Sequence, residues 1–341
     1  MKSDYNIKLL TSPWLLLLFI FLFTDCQRRE AERQSITAPL KKLVLVPKFN
    51  PDSAYAFIKR QVDYGPRVPN SQAHQQCGTF LTSTLRRFGA EVIEQEFEAV
   101  AFNGTELSLK NIIASFHGSE KKRILLAAHW DTRPYADKDS VNSELPNVGA
   151  NDGASGVGVL LEIARHLAEF PIPGVGIDII FFDGEDYGVT RGYKESVMDS
   201  ENGWCLGSRH WVSNKHKKNY GAYYGILLDL VGAGKATFFQ EGFSMGYAPI
   251  IVGRVWKNGQ QLGYKDFFIN KQRGGVMDDH LFVNREAKIP MINIIQYDAK
   301  SGDFGDYHHT HGDQLDIIDR LTLEAVGETV MYTVYHEQQT T

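Results

Sequence analysis

The sequence predicts an α/β sandwich of three layers, in which a central mixed, mostly parallel sheet is flanked by helices. Three observations carry that prediction. Short unbroken apolar runs, ILLAA at 124–128, IDIIFF at 177–182 and MINII at 291–295, read as strands covered on both faces. Segments with apolar residues at helical spacing alternate with them. Clusters of carboxylates and imidazoles recur just after the strands, which is where open α/β sheets hold their ligands.

The elements follow in order. Asp52 and Ser53 are expected to cap a helix through AYAFIKRQVDYG, and a second helix spans Ser71 to Phe88 and stops at Gly89. Strands are expected at Val92 to Phe97, Asn111 to Phe116, Arg123 to Ala128, Ile177 to Phe182, Ala222 to Leu228 and Ile289 to Ile295. Further helices are expected at Gly156 to Glu169, Pro249 to Leu262 and Leu321 to Tyr335. No internal repeat or second composition regime interrupts the series, so residues 50–341 are expected to form one domain.

The chain has 341 residues, 43% hydrophobic and 23% charged, which excludes a disordered chain and a multi-pass membrane protein. With 36 Lys+Arg against 41 Asp+Glu, the formal charge of -5 lacks the basic excess that phosphate binding needs, so nucleic acid is not an expected partner. The first segment reads as an address. Trp14 to Phe23 is an unbroken apolar stretch, too short to span a bilayer, with Lys2 and Lys8 before it and Cys26 just after it. That is the layout of a bacterial lipoprotein signal, with Cys26 as the lipid acceptor, although Asp25 departs from the small uncharged residue usual before the Cys. Residues 1–26 are thus expected to be a signal and 27–49 a polar tether. An exported protein, lipid-anchored on the periplasmic or cell-envelope side, is the corresponding expectation. Whether Cys77 and Cys205 pair in that oxidising setting is left open by the sequence.

Five polar clusters fall at expected strand ends or beside them. RILLAA runs into His129-Trp130-Asp131, IDIIFF into Asp183-Gly184-Glu185-Asp186, and YYGILL into Asp229. A small-residue loop, Gly149 to Gly156, carries Asp152 into a helix, and Tyr307 to Asp313 holds His308, His309 and His311. Taken singly, Asp152 reads as a helix cap, Glu185 and Asp186 as a solvated turn, and His129 as a satisfied interior histidine. Together they would leave a large negative charge at one sheet edge unless a cation neutralised it. Asp, Glu and His donors without Cys suit a catalytic Zn(II).

The order HWD, ANDGASG, FFDGED, LLDLVG and a terminal HT resembles the zinc-dependent M28 peptidase fold. Within it, GPRVPNS, GSRHW at 207–211, LLDLVGA at 227–233 and GGVMDDHLFV at 274–283 are similar to the glutaminyl-peptide cyclotransferases of animal type. The resemblance covers Asp52 to the C-terminus. It implies Asp152, Asp186 and His309 as zinc ligands, one zinc per chain, Glu185 as acid/base, and Asp229 and Asp278 as the active-site hydrogen-bonding aspartates. His129 matches a position that binds a second zinc in the aminopeptidases, Asp131 the residue that orients it, and His280 a supporting role. Two departures stand out: the animal enzymes have Glu at the place of Asp186 and Trp at that of His308. Trp204, Tyr187 and His308 are the expected pocket wall. The implied activity is cyclisation of an N-terminal glutamine to pyroglutamate with release of ammonia, by a protein expected to be monomeric. A di-zinc aminopeptidase, with His129, Asp152 and Asp229 as the added site, is the alternative. A tethered binding protein that has lost catalysis is the third, opposed by the intact Glu185, Asp152 and His309.

Overall fold

The computed structural model describes residues 44–191, 203–299 and 302–339. The expected signal and most of the tether lie outside them, and no described helix is long and apolar enough to cross a membrane. Leu45 to Thr341 form one unit. Phe49, assigned to the tether by the sequence, is buried against Gly327.

Helix α1 (Pro51–Val62) begins at Asn50, whose side chain accepts from the amides of Asp52 and Ser53. The cap is therefore Asn50 and not the two residues expected, because Pro51 occupies the first turn where no amide is needed. Helix α2 (Gln72–Arg87) is capped by Ser71. Six strands then build the main sheet: β1 (Glu91–Val100), β2 (Glu106–Phe116), β3 (Arg123–His129), β4 (Gly176–Phe182), β5 (Tyr224–Asp229) and β8 (Met291–Ile295). Their order is β1-β2-β4-β3-β5-β8. β1 and β2 form an antiparallel ribbon, β2 also meets β4 antiparallel, and β4, β3, β5 and β8 run parallel. The mixed, mostly parallel sheet is as expected.

One face of the sheet is covered by α3 (Ala154–Glu169), with α1 and the C-terminal helix α8 (Arg320–Tyr335) packed on it. Close approach is enforced at Gly156, where an added Cβ would meet the Leu228 carbonyl oxygen at 2.3 Å and Ala128 Cβ at 2.9 Å. On the other face, α4 (Leu206–Ser213) and α7 (Asp279–Phe282) pack with a π-helical turn (Val283–Ala287). Trp211 there joins Leu125, Ala127, Ile180, Phe182 and Leu227 in one core cluster. A small parallel pair, β6 (Phe238–Gln240) and β7 (Phe268–Gln272), sits beside β8 together with α5 (Gly242–Tyr247) and α6 (Pro249–Gln261). Helix α6 matches the expected Pro249 to Leu262, whereas β6, β7, α5, α4 and α7 had no counterpart in the sequence reading; each is too short or too irregular to show a period.

Candidate active site

The parallel strands β3, β4 and β5 end at one edge, and there the expected residues converge. His129 closes β3 and Asp229 closes β5. Asp152 precedes α3 but does not cap it: the cap position is Gly153 at φ 90°, without a side-chain hydrogen bond. Its amide and that of Asn151 instead donate to the buried Asp313, at 2.9 and 2.7 Å. Arg67, fully buried, donates to the carbonyls of Val148 at 2.6 Å and Gly149 at 2.7 Å and fixes the rest of that loop. After β4, the amides of Glu185 and Asp186 each donate to Asp131 at 3.1 Å. Asp131 thus holds the β4 loop as well as facing His129 Nδ1 at 3.5 Å. Pinned in this way, the loop brings the short Asp186 side chain inward, and a longer one is not needed.

His309 Nε2 lies 3.1 Å from Asp186 Oδ1 and 3.6 Å from Asp152 Oδ2. Neither contact is a hydrogen bond; Asp152 Oδ2 and both Asp186 oxygens are buried without a partner among the described residues. A buried carboxylate elsewhere in this protein is treated differently. Asp178 accepts from Arg123 Nε at 2.6 Å, Ser115 at 2.6 Å and Tyr220 at 2.7 Å. Arg133 Nη1, 3.6 Å from Asp186 Oδ1, offsets part of the charge at Asp152 and Asp186, and oxygens without hydrogen bonds beside an imidazole nitrogen are a donor set that can hold a cation. Donors around a tetrahedral zinc, each about 2.0–2.1 Å from the ion, stand roughly 3.3 Å apart, the range in which His309 Nε2 faces Asp186 and Asp152; one ligand atom each of Asp152, His308 and His309 also falls within 4.8 Å of the others. The His309 backbone is at φ 58°, left-handed for a non-glycine, a strain typical of a site where the fold over-determines a side chain.

His308 also lies near Asp152, its Nε2 3.8 Å from Oδ2. Lys138 Nζ donates to His308 Nδ1 at 2.7 Å and to Asp303 at 2.8 Å. With Lys138 at Nδ1, His308 turns Nε2 toward Asp152, and one ligand atom each of Asp152, His308 and His309 lies within 4.8 Å of the others, so His308 stands beside His309 at the same donor cluster. Arg133 organises the other side. It clamps Asp137 through two 2.8 Å bonds, donates to the Asp186 carbonyl at 3.1 Å, and lies 4.8 Å from the Trp204 ring. Trp204 in turn is stacked on His309, with 6.0 Å between ring centres.

A cavity of about 860 Å³ opens onto these groups, lined by Glu185, Trp204, Asp229, Met277, Phe304 and His308 among others. Tyr187 is not there. It packs with Phe97, Leu107 and Leu109, so the expected pocket role is corrected: one residue beyond Asp186 the chain has turned back into the β1–β2 core. His280 is also away from the donor trio, its Nε2 bonded to Glu241 at 3.0 Å. Cys77 and Cys205 are free and buried, not paired. The Cys205 thiol donates instead to Glu185 Oε1 at 3.4 Å.

The electrostatics follow from burial. Burial raises the Glu185 pKa well above the usual carboxylate range; His129 opposes the shift and the charges of Asp278, Asp186 and Asp279 add to it. Burial likewise raises Asp229, to about 7. For His129 burial acts downward, but Asp131, Asp152 and Asp229 together hold its pKa well above the ordinary value. Burial, with the Arg133 charge, lowers His309 to about 3, which keeps a ligand nitrogen unprotonated. Such opposed shifts in one cleft mark a site for acid–base chemistry.

Buried Asp, Glu and His side chains gathered at the strand ends of an open α/β sheet, where groups of them could hold a metal ion, are the layout of a metal-dependent enzyme of the zinc-peptidase fold. The chain belongs to peptidase family M28, whose model matches residues 111–334. A solved structure of Bacteroides thetaiotaomicron glutaminyl cyclase bound to N-acetylhistamine is 49% identical and superposes with a TM-score of 0.83, covering 85% of this chain and 99% of that one. A Zn-dependent exopeptidase from Parabacteroides distasonis is 50% identical with a TM-score of 0.82 over the same shares. Bovine glutaminyl-peptide cyclotransferase is 28% identical over 258 residues, 67% of this chain and 66% of the bovine protein.

Arg67, Arg133, Asp137, Cys205, Glu241 and Asp313 were not assigned from the sequence. The first lies within GPRVPNS, and Asp313 within the cluster that holds His309, so a signal was present for those two.

Proposed function

We propose that the protein is a glutaminyl-peptide cyclotransferase, converting the N-terminal glutamine of peptides or proteins to pyroglutamate with release of ammonia. The observation that carries this reading is the buried Glu185 beside the donor trio of Asp152, Asp186 and His309, on a scaffold 49% identical to a glutaminyl cyclase. Zn(II) held by that trio supplies Lewis acidity toward the γ-carbonyl oxygen and charge stabilisation as that oxygen becomes anionic.

The chain's own groups do the rest. The α-amine nitrogen forms a bond to the side-chain carboxamide carbon, Cδ, and Glu185 takes the proton that the nitrogen loses. The bond from that carbon to the carboxamide nitrogen then breaks, and Glu185 returns the proton so that ammonia leaves. No water is consumed. Asp278 lies close enough to Glu185 and Cys205 that one ligand atom of each falls within 4.8 Å of the others, which suits a carboxylate that holds the amine during transfer. Asp229, bonded to His129 at 3.2 Å, borders the same cavity. His129 Nε2 lies 3.1 Å from Asp152 Oδ1 as well. One zinc per chain is part of the proposal, and metal analysis of the purified protein tests it. Trp204 and His308 form the wall against which the glutamine is laid.

Incubation with a Gln-initiated peptide is expected to release one ammonia per peptide without shortening it. Release of free amino acids from varied peptides would instead support the two-metal aminopeptidase, which the proximity of His129, Asp152 and Asp229 favours. We also propose export and lipid anchoring through Cys26, supported by the apolar run before it. Cys26→Ala is expected to move the protein from the detergent-extracted membrane fraction to the soluble one.

A further inference from the structure

Glu241 was singled out by neither the sequence nor the resemblance, and it lies outside the donor trio. Its side chain is 2% exposed and accepts five hydrogen bonds. They come from the amides of Phe243 at 2.8 Å and Ser244 at 2.6 Å, the Ser244 hydroxyl at 2.6 Å, the Val276 amide at 2.8 Å and His280 Nε2 at 3.0 Å. Two amide donors cap α5 and the Ser244 hydroxyl adds a third bond within it; the remaining two, from Val276 and His280, tie that helix to the segment that carries Asp278. The two loops are joined along their backbones as well. Arg273 N donates to Gln240 O at 2.9 Å and Gly242 N to Gly274 O at 3.1 Å. They approach so closely that a Cβ on Gly242 would stand 2.6 Å from Gly275 N.

A second path leads from the same carboxylate to Asp278. Ser244 Oγ, donating to Glu241, accepts from Asn293 N at 2.9 Å, and Asn293 Nδ2 donates to Asp278 Oδ2 at 2.6 Å. The other Asp278 oxygen accepts from the Asp279 amide at 2.6 Å. Among the described residues, both donors to the Asp278 carboxylate therefore sit on segments hydrogen-bonded to Glu241 or its partner Ser244. Val276 and Met277, in the same segment, line the substrate cavity.

We propose that Glu241 is a positioning residue of the active site: through Val276 and His280 on one side, and Ser244 and Asn293 on the other, it sets the placement of Asp278 opposite Glu185. This rests on the catalytic role given to Asp278 above. Gln at position 241 keeps the shape but replaces one acceptor oxygen by a donor nitrogen, so His280 and the Ser244 groups can no longer all be satisfied.

The test is a double-mutant cycle with Glu241→Gln and Asp278→Asn in the zinc-loaded full chain. Zinc content and the melting transition are recorded for each variant, and kcat and KM are read on a Gln-initiated peptide. Glu241→Gln is expected to lower kcat roughly 10- to 100-fold in the parent, with KM within about twofold, yet by less than about threefold in the Asp278→Asn background. The same factor in both backgrounds, or no loss in the parent, overturns the proposal, since a purely structural contribution does not depend on which group stands at position 278. If Asp278→Asn leaves no measurable turnover, Asn293→Ala takes its place in the cycle. Ser244→Ala replaces Glu241→Gln if that variant does not fold. Should the parent hydrolyse peptides and release no ammonia, the cyclase reading falls, while the cycle read on that hydrolysis still decides the role of Glu241.

Discussion

Glu185 and Asp186 are neighbours in sequence with divergent chemistry, and the difference is one of direction. Asp131 fixes both amides, after which Asp186 points to His309 and Glu185 to the side where Cys205 and Asp278 lie. Glu185→Gln removes the proposed proton acceptor and leaves Asp152, Asp186 and His309 in place. It is expected to lower kcat by about 10²–10⁴ while zinc stays bound, as read by ammonia release and metal analysis on the same sample. Because burial raises Glu185, the acid limb of the parent's kcat/KM profile is expected above the ordinary carboxylate range, with activity rising as pH rises through it. The substrate amine, neutral only near pH ~8, acts in the same direction. Residue types at strand ends made most of this site legible in the sequence. What escaped was the supporting set, Arg133, Asp137 and Glu241, because a carboxylate or guanidinium that bonds to distant backbone carries no local pattern. Tyr187 escaped in the opposite sense: its place beside the metal motif suggested the pocket, but side chains leaving a turn face opposite ways.

At the scale of elements, the site depends on how tightly α3 lies on the sheet. Gly156 puts the helix backbone against the Leu228 carbonyl, one residue before Asp229. Gly156→Ala forces the two apart, since the atom it meets is backbone and cannot swing away. A loss of about 2–3 kcal/mol is expected in chemical denaturation, with a fall in activity larger than the unfolded fraction explains, because Asp229 moves with Leu228. Apolar runs and helical periods located every long element, and the parallel strands were legible because they are buried on both faces. The annex of β6 and β7, α4 and the four-residue α7 were not, since their conformations come from tertiary contacts. Asp278 caps α7 through the Asp279 amide, and Glu241 caps α5, so these helices exist where the site needs a fixed loop.

For the whole molecule, the carboxylates at one sheet edge set how stability responds to metal and pH. Asp229 and Asp313 are both raised, chiefly by burial, to about 7. In the metal-free protein the folded state therefore holds protons that the unfolded chain releases above its ordinary carboxylate pKa near ~4. Stability from these groups is greatest below that value and falls as pH rises from about 4 through 7. A zinc ion held at Asp152 would offset the Asp152 charge that adds to both shifts. Chelation is thus expected to lower the melting temperature more at pH 7.5 than at pH 5, and readdition at a thousandfold excess over Kd to restore about 4 kcal/mol. Differential scanning calorimetry at the two pH values checks both; equal shifts would contradict the sign.

The donor trio also bears on the order of events in folding. Asp152 and His309 are separated by more than a hundred positions, and His309 follows β8, the last strand to join the sheet in sequence. An ion cannot gather them until that long loop has closed, so the coordination shell is completed on the native side of the folding barrier. Zinc is therefore expected to leave the refolding rate unchanged and to slow unfolding, a brake on escape and not a nucleus for assembly, which stopped-flow chevrons with and without metal would resolve.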